Sequence, residues 1–258
     1  MKHAAVLLAL SFLTTPAISA DPVKPVRIIL VGDSTMATRS GYGDALCARF
    51  TPGSSCINLA RGGRSSGSFR AEGRWDEVQA LLKDGAAFST TYVLVQFGHN
   101  DQPGKPGRST DLVEEFPRNI ERYVLETTAL GGVPVLVTPL TRRSFKGAWL
   151  KDDLAPWAST IRRVAAERRA ALIDLNAISA AHVQKLGQDG ADTLAQAPRP
   201  ANYGAAATPG AVEPLGAPKS AFDRTHLGDK GAQLFSSMVT SELLRLFPTL
   251  ASSVTAPR

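Results

Sequence analysis

The residues best suited to chemistry in this sequence are a serine near one end and an aspartate–histidine pair near the other. Ser34 follows the short aliphatic run at 28–31, and Asp223 precedes His226 by three residues. A serine hydroxyl becomes a good nucleophile when a histidine takes its proton and a carboxylate fixes the histidine tautomer. One short loop can deliver both the base and its orienting carboxylate. These residue types therefore predict nucleophilic acyl transfer.

Of the four histidines, His226 is the best candidate base. His3 falls in an N-terminal segment that we expect to be removed, and His182 lies within a helical pattern. No carboxylate precedes His99 at a comparable spacing. The structural alternative is that Ser34 merely caps the helix that follows it, since serine favours that position.

Two segments between these ends offer hydrogen-bond donors. Gly62 and Gly63 lie in a glycine- and serine-rich loop, and Asn100 follows a second aliphatic run at 91–97. Acyl transfer needs donors aimed at the oxyanion that develops in the transition state. A backbone N–H from a glycine-rich loop and an asparagine amide, which carries two N–H donors, both suit that task. A tight turn and a helix cap are the structural alternatives.

In this order, the segments resemble the four sequence blocks of the SGNH (GDSL) hydrolase family. They are Gly-Asp-Ser at 32–34, a glycine at 62–63, Gly-His-Asn-Asp at 98–101 and Asp-Arg-Thr-His at 223–226. The variants VGDSTMA, GGRSSGSF, QFGHND and DRTHLGDKGA are most similar to the rhamnogalacturonan acetylesterase branch, carbohydrate esterase family 12. The resemblance extends from Val26 to about Phe247.

The resemblance implies a role for each matching residue. Ser34 would be the nucleophile, His226 the general base and then the general acid, and Asp223 the group that orients His226. The implied oxyanion donors are the backbone N–H groups of Ser34 and Gly63 and the side-chain amide of Asn100. Gly62 is the alternative to its neighbour Gly63.

Ser65 is a rival nucleophile, because residues 63–67 satisfy the G-x-S-x-G pattern of the α/β-hydrolase nucleophile elbow. That elbow needs a strong strand directly before the serine. Only the short segment at 57–60, then Arg61 and two glycines, precede it. The α/β-hydrolase order also separates the acid from the histidine. We therefore favour Ser34.

The residues alone predict a serine acyl hydrolase, and the resemblance points to acetylated rhamnogalacturonan, a pectin component, as the substrate. A net charge of +6 suits an acidic polysaccharide, and the chain has no nucleic-acid-binding motif. The candidate substrate contacts are Asp33, Arg64, His99, Arg142 and Tyr203. Alternatives are deacetylation of xylan or peptidoglycan, hydrolysis of lipid or thioester acyl chains, and a non-catalytic polysaccharide-binding protein, which the complete residue set disfavours.

Strands alternate with helical patterns along the chain, which predicts a three-layer α/β/α domain with a five-stranded parallel sheet in flavodoxin-like order. The resemblance implies that this is the SGNH hydrolase fold. The predicted strands are 26–31, 55–60, 91–97, 133–138 and 171–175. The predicted helices are 41–50, 75–83, 112–130, 153–169, 176–186 and 228–247. Residues 187–222 are rich in Ala, Gly and Pro, and we expect a long loop beside the site.

Residues 1–20 have the pattern of a secretory signal peptide, with cleavage near Ala20 and a single domain at 21–258. The apolar run is too short to span a membrane. We expect a periplasmic or secreted monomer without cofactor or metal. Cys47 and Cys56 are the only cysteines, and export favours a disulfide between them over two free thiols.

Overall fold

The core of the computed structural model is a five-stranded parallel sheet in the order β2-β1-β3-β4-β7. The structure describes residues 24–201, residue 203 and residues 222–255. The strands are β1 (Val26–Gly32), β2 (Ser55–Asn58), β3 (Thr90–Gln96), β4 (Val133–Val137) and β7 (Ala171–Ile173). All neighbouring strands in this sheet run parallel, and their order confirms the predicted flavodoxin-like arrangement.

The central strands form because their aliphatic runs can be buried on both faces of the sheet. All four residues at 28–31 of β1 are fully buried. Side chains alternate along a strand, so Ile28 and Leu30 enter one core cluster while Ile29 and Val31 enter the other. The sheet thus divides the apolar core into two clusters, one on each face.

Helices cover both faces of the sheet and complete the three layers. One face packs against α1 (Gly43–Cys47), α6 (Leu175–Asp192), α7 (Asp229–Leu246) and the 3-10 helix at Pro248–Ser253. The other face packs against α2 (Ser68–Ala71), α3 (Arg74–Lys83), α4 (Glu115–Ala129) and α5 (Ala155–Arg168). A short antiparallel hairpin, β5 (Phe145–Lys146) and β6 (Trp149–Leu150), lies between β4 and α5.

Some predicted boundaries were wrong. The first helix covers only Gly43–Cys47 instead of 41–50, and no pattern in the sequence predicts the β5–β6 hairpin. Residues 187–192 belong to α6, although composition placed them in the long loop. Gly187 adopts φ +68°, a conformation open to glycine, so the helix is interrupted there and then continues to Asp192.

The structure contains the disulfide between Cys47 and Cys56. Cys47 ends α1 and Cys56 lies in β2, so the bond ties this helix to the edge strand. In the described part of the chain, no helix combines the length and apolarity needed to cross a membrane. The predicted signal peptide and residues 204–221 of the predicted loop lie outside the described residues.

Candidate active site

Three loops bring the predicted site residues together at the carboxyl edge of the sheet. Ser34 lies two residues after the end of β1, and Asn100 lies four residues after the end of β3. Asp223 and His226 precede the start of α7. In open α/β sheets this edge is where ligands bind, because the strand ends leave a crevice there.

Ser34, His226 and Asp223 form a continuous hydrogen-bonded triad. Nε2 of His226 lies 2.9 Å from Oγ of Ser34, and Nδ1 of His226 lies 2.8 Å from Oδ2 of Asp223. When Nδ1 carries the proton and donates it to Asp223, Nε2 is free to accept the Ser34 proton. This arrangement can generate a nucleophilic serine.

The carboxylate of Asp223 also organises its own loop. Its Oδ1 accepts hydrogen bonds from the backbone N–H groups of Thr225 and His226, both at 2.7 Å. Partial burial opposes ionisation, but these bonds and the His226 side chain outweigh it and hold the pKa of Asp223 well below its usual range. The group that orients His226 is therefore ionised at neutral pH.

A buried polar cluster supports the turn that presents Ser34. Oδ1 of Asp33 accepts hydrogen bonds from the N–H and the hydroxyl of Thr35, at 2.9 and 2.8 Å. Oδ2 lies 3.3 Å from Nδ1 of His99, within ion-pair distance but outside hydrogen-bond geometry. Burial opposes ionisation of Asp33, but His99 and Thr35 together lower its pKa.

Asp33 and His99 were predicted as substrate contacts, but their side chains face the interior. Asp33 is 0% exposed and His99 is 2% exposed, which leaves no surface for a polymer to contact. The cluster continues inward, since Gln96 donates to Thr35 Oγ1 at 2.7 Å and Tyr42 donates to Gln96 at 2.7 Å. These residues lie beneath the nucleophile turn and restrict its position.

The side chain of Asn100 is held by a hydrogen bond to the glycine-rich loop. Its Nδ2 donates to the carbonyl oxygen of Arg64 at 3.0 Å, which occupies one of the two amide hydrogens. Gly62 closely approaches the nucleophile, since a Cβ added there would lie 3.7 Å from Cβ of Ser34. Gly63 has φ +78°, a conformation that disfavours any side chain. Gly63 remains our proposed backbone donor, by resemblance.

Replacing Asn100 by alanine is expected to lower kcat by about 100-fold, because one donor to the oxyanion is lost. KM should change much less, since the oxyanion exists only in the transition state. Initial rates with 4-nitrophenyl acetate measure both constants. Asn100→Asp, which keeps the shape but removes both N–H donors, should show a loss at least as large. An unchanged kcat in both variants would remove Asn100 from the proposed oxyanion hole.

Asp101 joins the two loops that carry the candidate oxyanion donors. It is fully buried and accepts hydrogen bonds from the N–H and hydroxyl of Ser66 and from the hydroxyl of Thr110. Burial raises its pKa to about 6, despite these hydrogen bonds. The contact fixes the glycine-rich loop relative to Asn100.

Ser65, the rival nucleophile, is fully buried and takes part in loop structure. Its Oγ accepts a hydrogen bond from the N–H of Ser68 at 3.1 Å and lies 3.2 Å from the Ser68 hydroxyl. A side chain in this position has no access to substrate. The geometry therefore favours Ser34.

The other predicted substrate contacts are partly exposed, but each has a partner within the protein. Arg64 pairs with Glu72 at 2.9 Å, and Arg142 forms an ion pair with Asp153. The ring of Tyr203 packs under the guanidinium of Arg224, 5.0 Å from its centre. Their contact with a substrate stays a prediction.

Arg143, which the sequence does not predict as a site residue, holds the loop that carries the base. Its side chain is 0% exposed. The guanidinium donates to the backbone carbonyls of Asp223, Thr225 and His226 at 3.1, 3.2 and 2.7 Å. Burial lowers its pKa to about 10, with nearby carboxylates opposing the shift, so it is charged at neutral pH.

Replacing Arg143 by methionine should destabilise the protein by about 3 kcal/mol, because three carbonyls of the loop lose their buried donor. Without these bonds the loop holds His226 less firmly, so kcat should fall by about tenfold or more while KM changes little. Arg143→Lys keeps the positive charge but lacks the planar set of guanidinium donors, so we expect an intermediate loss of stability and of kcat. Urea unfolding measures the loss of stability. Ester hydrolysis, measured well below the unfolding midpoint, gives the change in kcat and KM. Parental kcat in both variants would show that Arg143 acts on stability alone.

The sequence matches the model of the GDSL-like lipase/acylhydrolase family over residues 30–234. The chain belongs to this family. The probable rhamnogalacturonan acetylesterase YesY of Bacillus subtilis (strain 168) is 26% identical over 239 residues, covering 90% of this chain and 99% of the relative. Rhamnogalacturonan acetylesterase RhgT of the same organism is 29% identical over 234 residues, covering 86% of this chain and 91% of the relative.

Solved structures share the fold of this family member. The Bacillus subtilis protein YxiM superposes with a TM-score of 0.64 at 23% identity, over 87% of this chain and 58% of that one. This chain thus spans little more than half of that longer protein. Axe2, an acetylxylan esterase from Geobacillus stearothermophilus, superposes with a TM-score of 0.55 at 18% identity, over 85% of this chain and 92% of that one.

Proposed function

We propose that this protein is a serine esterase that removes acetyl groups from plant cell-wall polysaccharide, most specifically acetylated rhamnogalacturonan. The observation that carries the proposal is the hydrogen-bond chain from Ser34 through His226 to Asp223. Family membership supports the class of reaction. The names of two relatives that match most of the chain, a rhamnogalacturonan acetylesterase and a probable one, support the substrate.

The reaction proceeds by acyl transfer in two halves. Ser34 Oγ attacks the acetyl carbonyl while His226 takes the hydroxyl proton, and the oxyanion hole stabilises the tetrahedral intermediate. The intermediate collapses when the bond between the acetyl carbon and the sugar oxygen breaks, and His226 gives its proton to the departing sugar oxygen. Water, deprotonated by His226, then attacks the acetyl-enzyme. Acetate leaves and Ser34 recovers its proton.

We also propose that the substrate is an acidic polymer and that the protein is exported to reach it. Four cations around the site have no ion-pair partner in the part of the chain that the structure describes: Arg39, Arg61, Lys105 and Arg108. Burial lowers the pKa of Lys105, and the charges of Arg142 and Arg108 add to this shift against the opposing carboxylates of Asp33 and Asp153. The signal-peptide pattern supports action in the periplasm or outside the cell. A monomer that needs no cofactor remains part of the proposal.

Acetate release from acetylated rhamnogalacturonan, measured beside acetylated xylan, tests the proposal. We expect release from the pectic polymer to be at least tenfold faster per acetyl group at equal acetyl concentration. A series of 4-nitrophenyl esters should show rates collapsing beyond short acyl chains, because a deacetylase has little room for longer ones. Preference for xylan would overturn the pectin assignment, and preference for long chains would replace the acetylesterase assignment with a lipid or thioester hydrolase. The Ser34→Ala variant supplies the uncatalysed background.

A further inference from the structure

A polar cleft of about 480 Å³ opens near the turn that carries the candidate nucleophile, although Ser34 itself is not part of its lining. Ser40 and Gly62 form part of its lining. Ser40 donates a hydrogen bond from its hydroxyl to the carbonyl of Ser34 at 2.8 Å, and Gly62 is the glycine that approaches the Ser34 side chain. A group bound in this cleft would therefore lie next to an ester placed at Ser34.

Positive charge dominates the lining of the cleft. It contains the three arginines Arg39, Arg61 and Arg74, against the single carboxylate of Glu77. Arg74 pairs at 2.8 Å with Glu72, which lies outside the lining. Within the described residues, neither Arg39 nor Arg61 has a carboxylate partner. Two guanidinium groups are thus available to a bound anion.

The turn that carries Arg39 has an unusual backbone and is tied to the site. Arg39 adopts φ +68°, which is uncommon for any residue other than glycine and marks positions with a functional or structural demand. Gln196 donates to the Arg39 carbonyl at 2.7 Å. The N–H of Leu227, which follows His226, donates to the carbonyl of Ser40 at 2.9 Å. The cleft wall is therefore fixed to the loop that carries the base.

We propose that this cleft binds the carboxylate of a uronic acid residue in the same polymer chain as the acetylated sugar. The inference rests on the proposed function and adds the recognition of charge to it. Guanidinium groups suit this task because each presents a planar fork of donors that matches a carboxylate. The volume of the cleft lies in the range of small-molecule sites and accommodates a sugar ring. Arg39 and Arg61 bind the carboxylate and set the register of the polymer over Ser34.

The test measures binding of an oligomer of galacturonic acid without acetyl groups, so that it does not depend on ester hydrolysis. Isothermal titration compares the parent with the double variant Arg39→Asn/Arg61→Gln. Asparagine is chosen at position 39 because it tolerates the left-handed backbone. We expect Kd to rise by about tenfold or more in the double variant, as two charge-assisted contacts are lost. Binding by the parent should also weaken as salt screens the charges.

Two controls separate this inference from simpler explanations. Arg163→Gln removes one charge from the exposed face of α5, where Arg163 pairs with Glu167, and should leave Kd within about twofold because the charge is remote and screened. The methyl-esterified oligomer, which has the same rings without the charge, should bind the parent at least about tenfold more weakly. Equal binding of both oligomers, or an unaltered Kd in the double variant, would overturn the inference. Failure to release acetate from any polymer would contradict the proposed function and leave this binding result standing.

Discussion

Replacing Ser34 by alanine should lower kcat for ester hydrolysis by about 10,000-fold or more, because the acyl-enzyme can no longer form. His226→Ala should have a similar effect, because it removes the base whose Nε2 lies 2.9 Å from the Ser34 hydroxyl. The double variant should be no slower than the slower single variant. Residues that act in one proton-transfer step lose their function together, so their effects do not add.

The measurement is acetate release or 4-nitrophenyl acetate hydrolysis by the two single variants and the double variant, with folding checked by thermal unfolding. Ser65→Ala is the matched control, because it removes a serine hydroxyl from a buried loop position beside the site. We expect it to retain activity within about tenfold of the parent, as only two structural hydrogen bonds to Ser68 are lost. Activity that survives in Ser34→Ala but disappears in Ser65→Ala would return the nucleophile to Ser65.

The triad could be predicted because the sequence indicates both the position of the nucleophile and that of its base and orienting carboxylate. Ser34 follows an aliphatic run that has to be buried, and Asp223 and His226 share one turn before an amphipathic helix. The carboxyl ends of parallel strands lie at one edge of the sheet, so a residue that directly follows a strand can be placed at that edge from the sequence alone. The structure places all three residues in one hydrogen-bonded chain.

The supporting residues could not be predicted, because their partners are distant in sequence. Arg143 lies 80 residues from Asp223, whose carbonyl it binds, and nothing in the local pattern distinguishes it from Arg142. Tyr42 and Gln96 meet across 54 residues beneath the nucleophile turn. The type of a polar residue does not show whether its side chain is buried, which is why the sequence predicts Asp33 and His99 as substrate contacts.

Asp223→Asn is expected to lower kcat by about 10,000-fold with little loss of stability, because the substitution keeps the shape and reverses the polarity toward His226. Asp223 Oδ2 accepts the Nδ1 proton of His226 at 2.8 Å, which leaves Nε2 free to accept the Ser34 proton. An asparagine amide that donates to Nδ1 fixes the opposite tautomer. Nε2 then carries the proton and cannot take another one from Ser34.

Comparison with Asp223→Ala separates this electronic role from the structural one. An asparagine Oδ1 can still accept from the N–H groups of Thr225 and His226, whereas alanine abandons both bonds. We therefore expect Asp223→Ala to lose about 1–3 kcal/mol of unfolding free energy in addition to activity. Asp223→Asn should lose activity almost alone. Because hydrogen bonds hold the pKa of Asp223 well below its usual range, the parent carboxylate is ionised at every pH near neutrality. A kcat for Asp223→Asn within tenfold of the parent would mean that Asp223 serves only to hold the loop.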